Sequence, residues 1–161
     1  MKKCLLFFVF IICLQFTSFG QDNYINVIGV RGGNPTGVTY KHFIGRYSVI
    51  EGIAGINFSY KESNKNSRGI TASITGLYEY HMYITEGLNV YGGGGMSIGG
   101  GSGIFLLHAD AIVGLEYTIS NFPLNLSVDY KPYYSPLYRQ KGIKGFGFNE
   151  FGLSLRYVLQ Y

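Results

Sequence analysis

Over the last eleven residues, large apolar or aromatic side chains occupy every odd position: Phe151, Leu153, Leu155, Tyr157, Leu159 and Tyr161. Small or polar residues fill the even positions, apart from Val158. Successive side chains of a strand point to opposite faces, so this alternation predicts a strand with one apolar side and one polar side. A tilted strand of about 9–11 residues crosses a bilayer. The same two-residue period upstream predicts strands over 24–31, 37–44, 48–60, 69–83, 88–99, 109–120, 124–134 and 146–161.

The period sorts residues by face. One side receives Ile50, Ala54, Ile56 and Phe58 of the third strand, and Ile70, Ala72, Ile74, Tyr78 and Tyr80 of the fourth. Ala111, Val113, Leu115, Tyr117 and Ile119 of the sixth strand and Leu124, Leu126, Val128 and Tyr130 of the seventh join them. The other side receives Glu51, Asn57, Ser59, Thr71, Ser73, Thr75, Glu79 and His81, then Asp110, Gly114, Glu116, Thr118, Asn125, Ser127, Asp129 and Lys131. Arg31 and Arg156 fall on that side too, so charges of both signs share one face. Arg156 is expected to neutralise Glu116 or Asp129. Eight strands enclose an interior just wide enough for side chains to fill. The expectation is a salt-bridged plug of Arg31, Glu51, Glu79, Glu116, Asp129, Lys131 and Arg156, with a pore or proton relay through some of them as the lesser alternative.

The connections alternate in length. Those at 45–47, 85–87 and 121–123 are short, whereas 61–68, 100–108 and 135–145 are longer and richer in Gly or polar residues. The brief first connection around Gly32–Pro35 is the exception. Outer-membrane barrels have an even strand number, short periplasmic turns and longer external loops. An eight-stranded antiparallel up-and-down transmembrane barrel with both termini periplasmic follows. Without helices, a membrane-embedded chain must close its strands, because unpaired backbone groups in lipid are costly.

The N-terminus points to export. Met1-Lys2-Lys3 is followed by an apolar run from Cys4 to Phe16 and by small residues before Gly20. This reads as a signal peptide over 1–20, cut between Gly20 and Gln21, with the barrel domain over 21–161. The run is too short for a transmembrane helix, and bulky Ile12 argues against a lipid on Cys13. Both cysteines lie in the leader, which removes disulfide, thiolate and cysteine-metal chemistry from the mature chain. Loss of Lys2 and Lys3 takes the basic count from 13 to 11 against 9 acids, a net charge of about +2. That is too weak and dispersed for a nucleic-acid face. The 24 Gly and 15 Tyr, with few charges, suit strands at a lipid–water boundary.

The segments Gly29–Phe43, Gly76–His81, Tyr91–Gly95, Gly114–Thr118 and Pro123–Pro132, in that order, resemble a family of small outer-membrane β-barrel proteins of Gram-negative bacteria. The resemblance implies an eight-stranded fold of the OmpA/OmpX kind, cell outer membrane residence and no enzymatic activity. It also implies that Tyr157, Leu159 and Tyr161 form the terminal signal read by the barrel assembly machinery. Related barrels more often end in Phe than Tyr.

Other chemistry finds little support. The Gly-rich stretch Gly92–Gly103 has neither a dinucleotide fingerprint nor a Gly-Lys-Ser/Thr ending, so its glycines read as close-approach positions. His42, His81 and His108 lack metal-ligand spacing and read as interfacial or loop residues. No cofactor, metal or catalytic residue is expected, and the barrel is expected to be a monomer in contact with outer-membrane lipid. A surface role would be carried by the loops at 61–68, 100–108 and 135–145. The basic, aromatic run Leu137–Lys144 could meet lipopolysaccharide phosphates or an acidic partner. Two alternatives differ in class. One is an enzyme acting on outer-leaflet lipid through His108, Asp110 and Ser102. The other is a soluble secreted β-sandwich or ligand-binding barrel.

Overall fold

The computed structural model describes residues 25–59, 69–101, 104–119, 122–136 and 145–160. Ten strands form one antiparallel sheet: β1 (Asn26–Gly33), β2 (Thr36–Phe43), β3 (Ser48–Ser59), β4 (Gly69–Thr85), β5 (Leu88–Gly101), β6 (Ile104–Thr118), β7 (Leu124–Tyr130), β8 (Tyr133–Tyr134), β9 (Phe146–Gly147) and β10 (Phe151–Gln160). Neighbours follow the order β5-β4-β3-β2-β1-β10-β7-β6, and β6 pairs back onto β5. Eight strands therefore close a barrel, which leaves no edge along the ring. The short β8 and β9 extend one rim by pairing with each other and with β6.

Closure is set by the pairing of the first and last strands, with Val27 opposite Val158 and Gly29 opposite Arg156. Asn26 and Gln160 consequently share a rim with the β2–β3, β4–β5 and β6–β7 connections. The β4–β5 connection is a turn at Glu86-Gly87, where Gly87 takes φ +75, a left-handed conformation that glycine adopts without a Cβ clash. At the opposite rim Gly33 has φ +118, and a Cβ there would stand 2.1 Å from the Phe151 carbonyl oxygen.

Several boundaries differ from the expected ones. Strand β6 starts at Ile104, so most of the loop expected over 100–108 is strand and the β5–β6 hairpin is tight. The single strand expected over 124–134 breaks at Lys131-Pro132, because proline has no N–H to give to a ladder. Its carbonyl still accepts from the Ala111 N–H. The strand expected over 146–161 likewise divides at 148–150. The leader, its Gly20–Gln21 junction, the segments 61–68 and 137–144, Ser102 and Tyr161 lie outside the described residues.

Side chains alternate between an outward apolar set and a packed interior. Every Asp, Glu, Lys or Arg in the described strands is buried: Arg31, Lys41, Glu51, Glu79, Asp110, Glu116, Asp129 and Arg156. The outward positions carry residues such as Ile74 (65% exposed) and Leu153 (68% exposed).

Candidate functional site

The interior is the only place where the described chain concentrates chemistry, and β2, β3, β4, β6 and β10 all contribute to its centre. Lys41 stands among three carboxylates: its Nζ donates to Glu79 Oε2 at 2.8 Å and Glu116 Oε2 at 3.2 Å, and lies 3.8 Å from Glu51 Oε2. It also sits 3.9 Å above the centre of the Tyr91 ring. The Arg156 guanidinium donates to Glu51 Oε1 at 2.7 Å and Ser127 Oγ at 2.8 Å, with Glu116 Oε2 3.6 Å away. Thr39 donates to the same Glu51 oxygen. These side chains are shut off from solvent, so the pairing offsets a large desolvation cost.

A second pair lies beside the first. Arg31 makes a two-pronged contact with Asp129, Nη1 to Oδ2 at 2.5 Å and Nη2 to Oδ1 at 2.6 Å. The room for its guanidinium comes from Gly152, where a Cβ would stand 2.2 Å from Arg31 Cζ. Gly114 does the same for the Tyr91 ring, at 2.5 Å from Cζ. Sequence and packing meet here: small residues on the inner face are the space that large inner residues occupy.

Towards the rim that carries β8 and β9, Lys131 Nζ lies 3.0 Å from Asp110 Oδ1 and 2.5 Å from Glu150 Oε2. Burial raises the Glu150 carboxyl above its ordinary range, with Lys131 working against the shift. A polar cleft of about 10 Å³ opens here beside Asn57, Thr75, Ser97 and His108, room for about one water. At the rim where Asn26 meets Gln160, Val27, Val158 and Phe43 pack into an apolar stopper. Ile53, Leu77, Tyr91 and Ile112 make a second apolar cluster within the interior.

The residues expected in the plug all lie in the interior, and of the two carboxylates expected to meet Arg156 the structure brings Glu116 to it, at 3.6 Å, but not Asp129. Asp129 is taken by Arg31, so Arg156 instead holds Glu51 and lies near Glu116. Lys41, the cation among the three glutamates, escaped the sequence reading, which assigned no faces to strand two. The signal was present: Lys41 shares the parity of Thr39, one residue off the outward Val38 and Tyr40. His81 is not interfacial. It is fully buried, with Nε2 2.9 Å from Glu79 Oε2 and its ring stacked on Tyr91 at 4.9 Å. His108 belongs to β6 rather than a loop, and stacks on Tyr133 at 4.1 Å. His42 is exposed on β2, with Nδ1 2.8 Å from Asn26 Oδ1.

Ser97, His108 and Asp110 share the inner face, since Ser97 pairs directly with His108 and Asp110 follows two residues on. The Ser97 hydroxyl donates to the Asp110 carboxylate, which Lys131 also holds. A nucleophile activated by histidine needs a serine–histidine hydrogen bond, and this serine is turned to the acid instead. Among the described residues no group of three or more His, Asp or Glu side chains is arranged to hold a metal ion, the central glutamates being gathered on Lys41 instead.

Geometry thus defines a class: an all-β, eight-stranded antiparallel closed barrel with a filled, charged interior and an apolar exterior. No family model, curated protein or solved structure matches the chain.

Proposed function

We propose that the protein is a non-enzymatic outer-membrane barrel of the OmpA/OmpX kind, with both termini periplasmic. The observation that carries this reading is the inverted distribution of charge. All eight charged residues of the described strands point inward, and the outward positions are apolar or aromatic apart from His42 and Thr85 near one rim. In water that arrangement exposes Ile28, Val30, Ile74, Val113, Leu126 and Leu155 to solvent while burying ions; in hydrocarbon both choices are favourable. An apolar groove of about 490 Å³ on the outside, lined by Val30, Leu115, Leu126, Val128, Leu153 and Leu155, is suited to acyl chains.

Aromatic residues cluster outward at the two rims. Tyr47, Tyr80, Tyr117 and Tyr157 lie toward the rim of the termini; Phe146, Phe148 and Phe151 lie toward the other. Such girdles sit at lipid–water boundaries. In this orientation the β2–β3, β4–β5 and β6–β7 connections face the periplasm, and the sequence segments 61–68 and 135–145 would belong to the external side. They would carry a structural or surface-interaction role, with lipopolysaccharide phosphates or an acidic surface as the chemistry that Arg139, Lys141 and Lys144 suit. Assembly would use the barrel assembly machinery acting on Tyr157, Leu159 and Tyr161. The filled interior argues for a barrel that does not conduct solutes.

Fractionation together with gel mobility tests the reading. The protein is expected in outer-membrane fractions, requiring detergent for extraction, and unboiled samples should migrate differently from boiled ones. Release in detergent-free buffer would favour a soluble secreted barrel.

A further inference from the structure

The centre of the interior is not electrically balanced. Lys41 and Arg156 supply two positive charges, whereas Glu51, Glu79 and Glu116 supply three carboxylates, all with fully buried side chains. Among the described residues, Arg31 of β1 is also in the interior but is already matched by Asp129. An uncompensated carboxylate in a dry setting is neutralised by taking up a proton.

Two observations say where. Glu51 of β3 and Glu79 of β4 are diagonal neighbours on the inner face and share one ammonium, Lys41 Nζ, at 3.8 and 2.8 Å, yet two ionised carboxylates side by side can only accept. Glu51 Oε2 and Glu79 Oε1 are also the oxygens of this pair that no hydrogen-bond donor reaches. A single proton between the two groups answers both.

His81 is the competing position. Its Nδ1 has no hydrogen-bond partner and lies 3.7 Å from Glu116 Oε1. An imidazolium would bury an unsatisfied N–H there, whereas a neutral ring donating from Nε2 to Glu79 leaves only a bare acceptor. Stacking on Tyr91 and an edge contact from Phe43 complete the enclosure of that ring.

We propose that Glu51 and Glu79 form a proton-binding site, a carboxylic acid–carboxylate pair sharing one hydrogen ion at the centre of the folded barrel. Lys41 of β2 and Arg156 of β10 face the pair as cations, while Glu116 of β6 balances them. Tyr91 of β5 and His81 of β4 line it as neutral groups, and Thr39 of β2 donates to Glu51. Beyond them, Arg31 of β1 and Asp129 of β7 form their own neutral pair. The site depends on the closed barrel and not on what surrounds it, so it stands apart from the membrane reading. Glutamates of the unfolded chain titrate near about 4.3. Above that pH unfolding therefore releases a proton, and the barrel loses stability as pH rises through the titration of the pair.

Infrared spectra of the folded protein in phosphatidylcholine vesicles at neutral pH, with carboxyls isotopically labelled, test this. The expected spectrum contains the carbonyl stretch of a protonated acid. Glu79→Gln should remove a component that His81→Gln and Glu150→Gln both retain, and should flatten the alkaline side of the stability profile. A spectrum with ionised carboxylates alone, or an acid component unchanged by Glu79→Gln, would overturn the proposal. Should Glu79→Gln fail to fold, carbon and nitrogen NMR of the wild type decides. An acid-type carboxyl at Glu51 or Glu79 with a neutral His81 supports the site, and an imidazolium with three carboxylates contradicts it.

Discussion

One guanidinium, that of Arg156, reaches three other strands: Thr39 of β2, Glu51 of β3, and Asn125 and Ser127 of β7. Its removal strands a buried carboxylate, so Arg156→Leu should lower unfolding free energy by about 3–5 kcal/mol, read from urea titrations in micelles. Gly152→Val probes the space beside it. The added atoms would meet the Arg31 guanidinium, and overpacking of this kind costs about 1–3 kcal/mol. Gly32→Val provides the control, because a Cβ there meets nothing nearer than 3.9 Å and the position is exposed. At this scale the sequence carried the inward or outward sense of Glu51, Glu79, Asp129 and Arg156, since parity alone decides it. Parity does not decide partners. Asp129 went to Arg31 and Glu51 to Arg156 because strand register and barrel curvature, which no single strand encodes, place those ends together.

Strand β10 shows how much of an element its own pattern determines. Phe151, Leu153, Leu155, Tyr157 and Leu159 are exposed; Gly152, Ser154, Arg156 and Val158 are buried, Val158 because it belongs to the apolar stopper. If the exposed face meets lipid as proposed, a charge on it costs about 2–4 kcal/mol at the midplane and about 0–1 near the interface. Leu155→Arg should therefore deplete heat-modifiable protein from outer-membrane fractions far more than Leu159→Arg, and equal yields would remove the depth dependence that lipid imposes. Strand ends were less legible than strand faces. The chain from Gly100 reads as loop, yet β5 continues to Gly101; the close approach expected of these glycines does occur, since a Cβ at Gly99 or Gly101 would come within 2.8 and 2.4 Å of β4 carbonyl oxygens. The break before β10 also places a titratable group. Burial raises the Glu150 carboxyl, so its contribution to stability is present at low pH and is lost as pH rises through its folded-state titration. Glu150→Gln should accordingly lessen the loss of stability on the alkaline side, measured by urea unfolding across pH.

For the whole molecule, ring closure and charge inversion act together. Closure removes strand edges, and the antiparallel pairings bring both described ends to one rim. Charge inversion then makes the outside compatible with hydrocarbon and the inside a packed ionic core. The fold class was legible because the two-residue period recurs in all eight wall strands, and closure follows from that count once no strand can be left with an open edge. In the proposed outer-membrane barrel the odd-numbered face of β10 touches lipid. Single cysteines carrying a nitroxide, placed at 153, 155 and 157 of the protein reconstituted in lipid vesicles, measure it directly through collision with oxygen and with a water-soluble relaxant. Strong oxygen collision and little access to the aqueous relaxant are expected at all three sites. Ready access of the aqueous relaxant to 153 and 155 would contradict lipid contact.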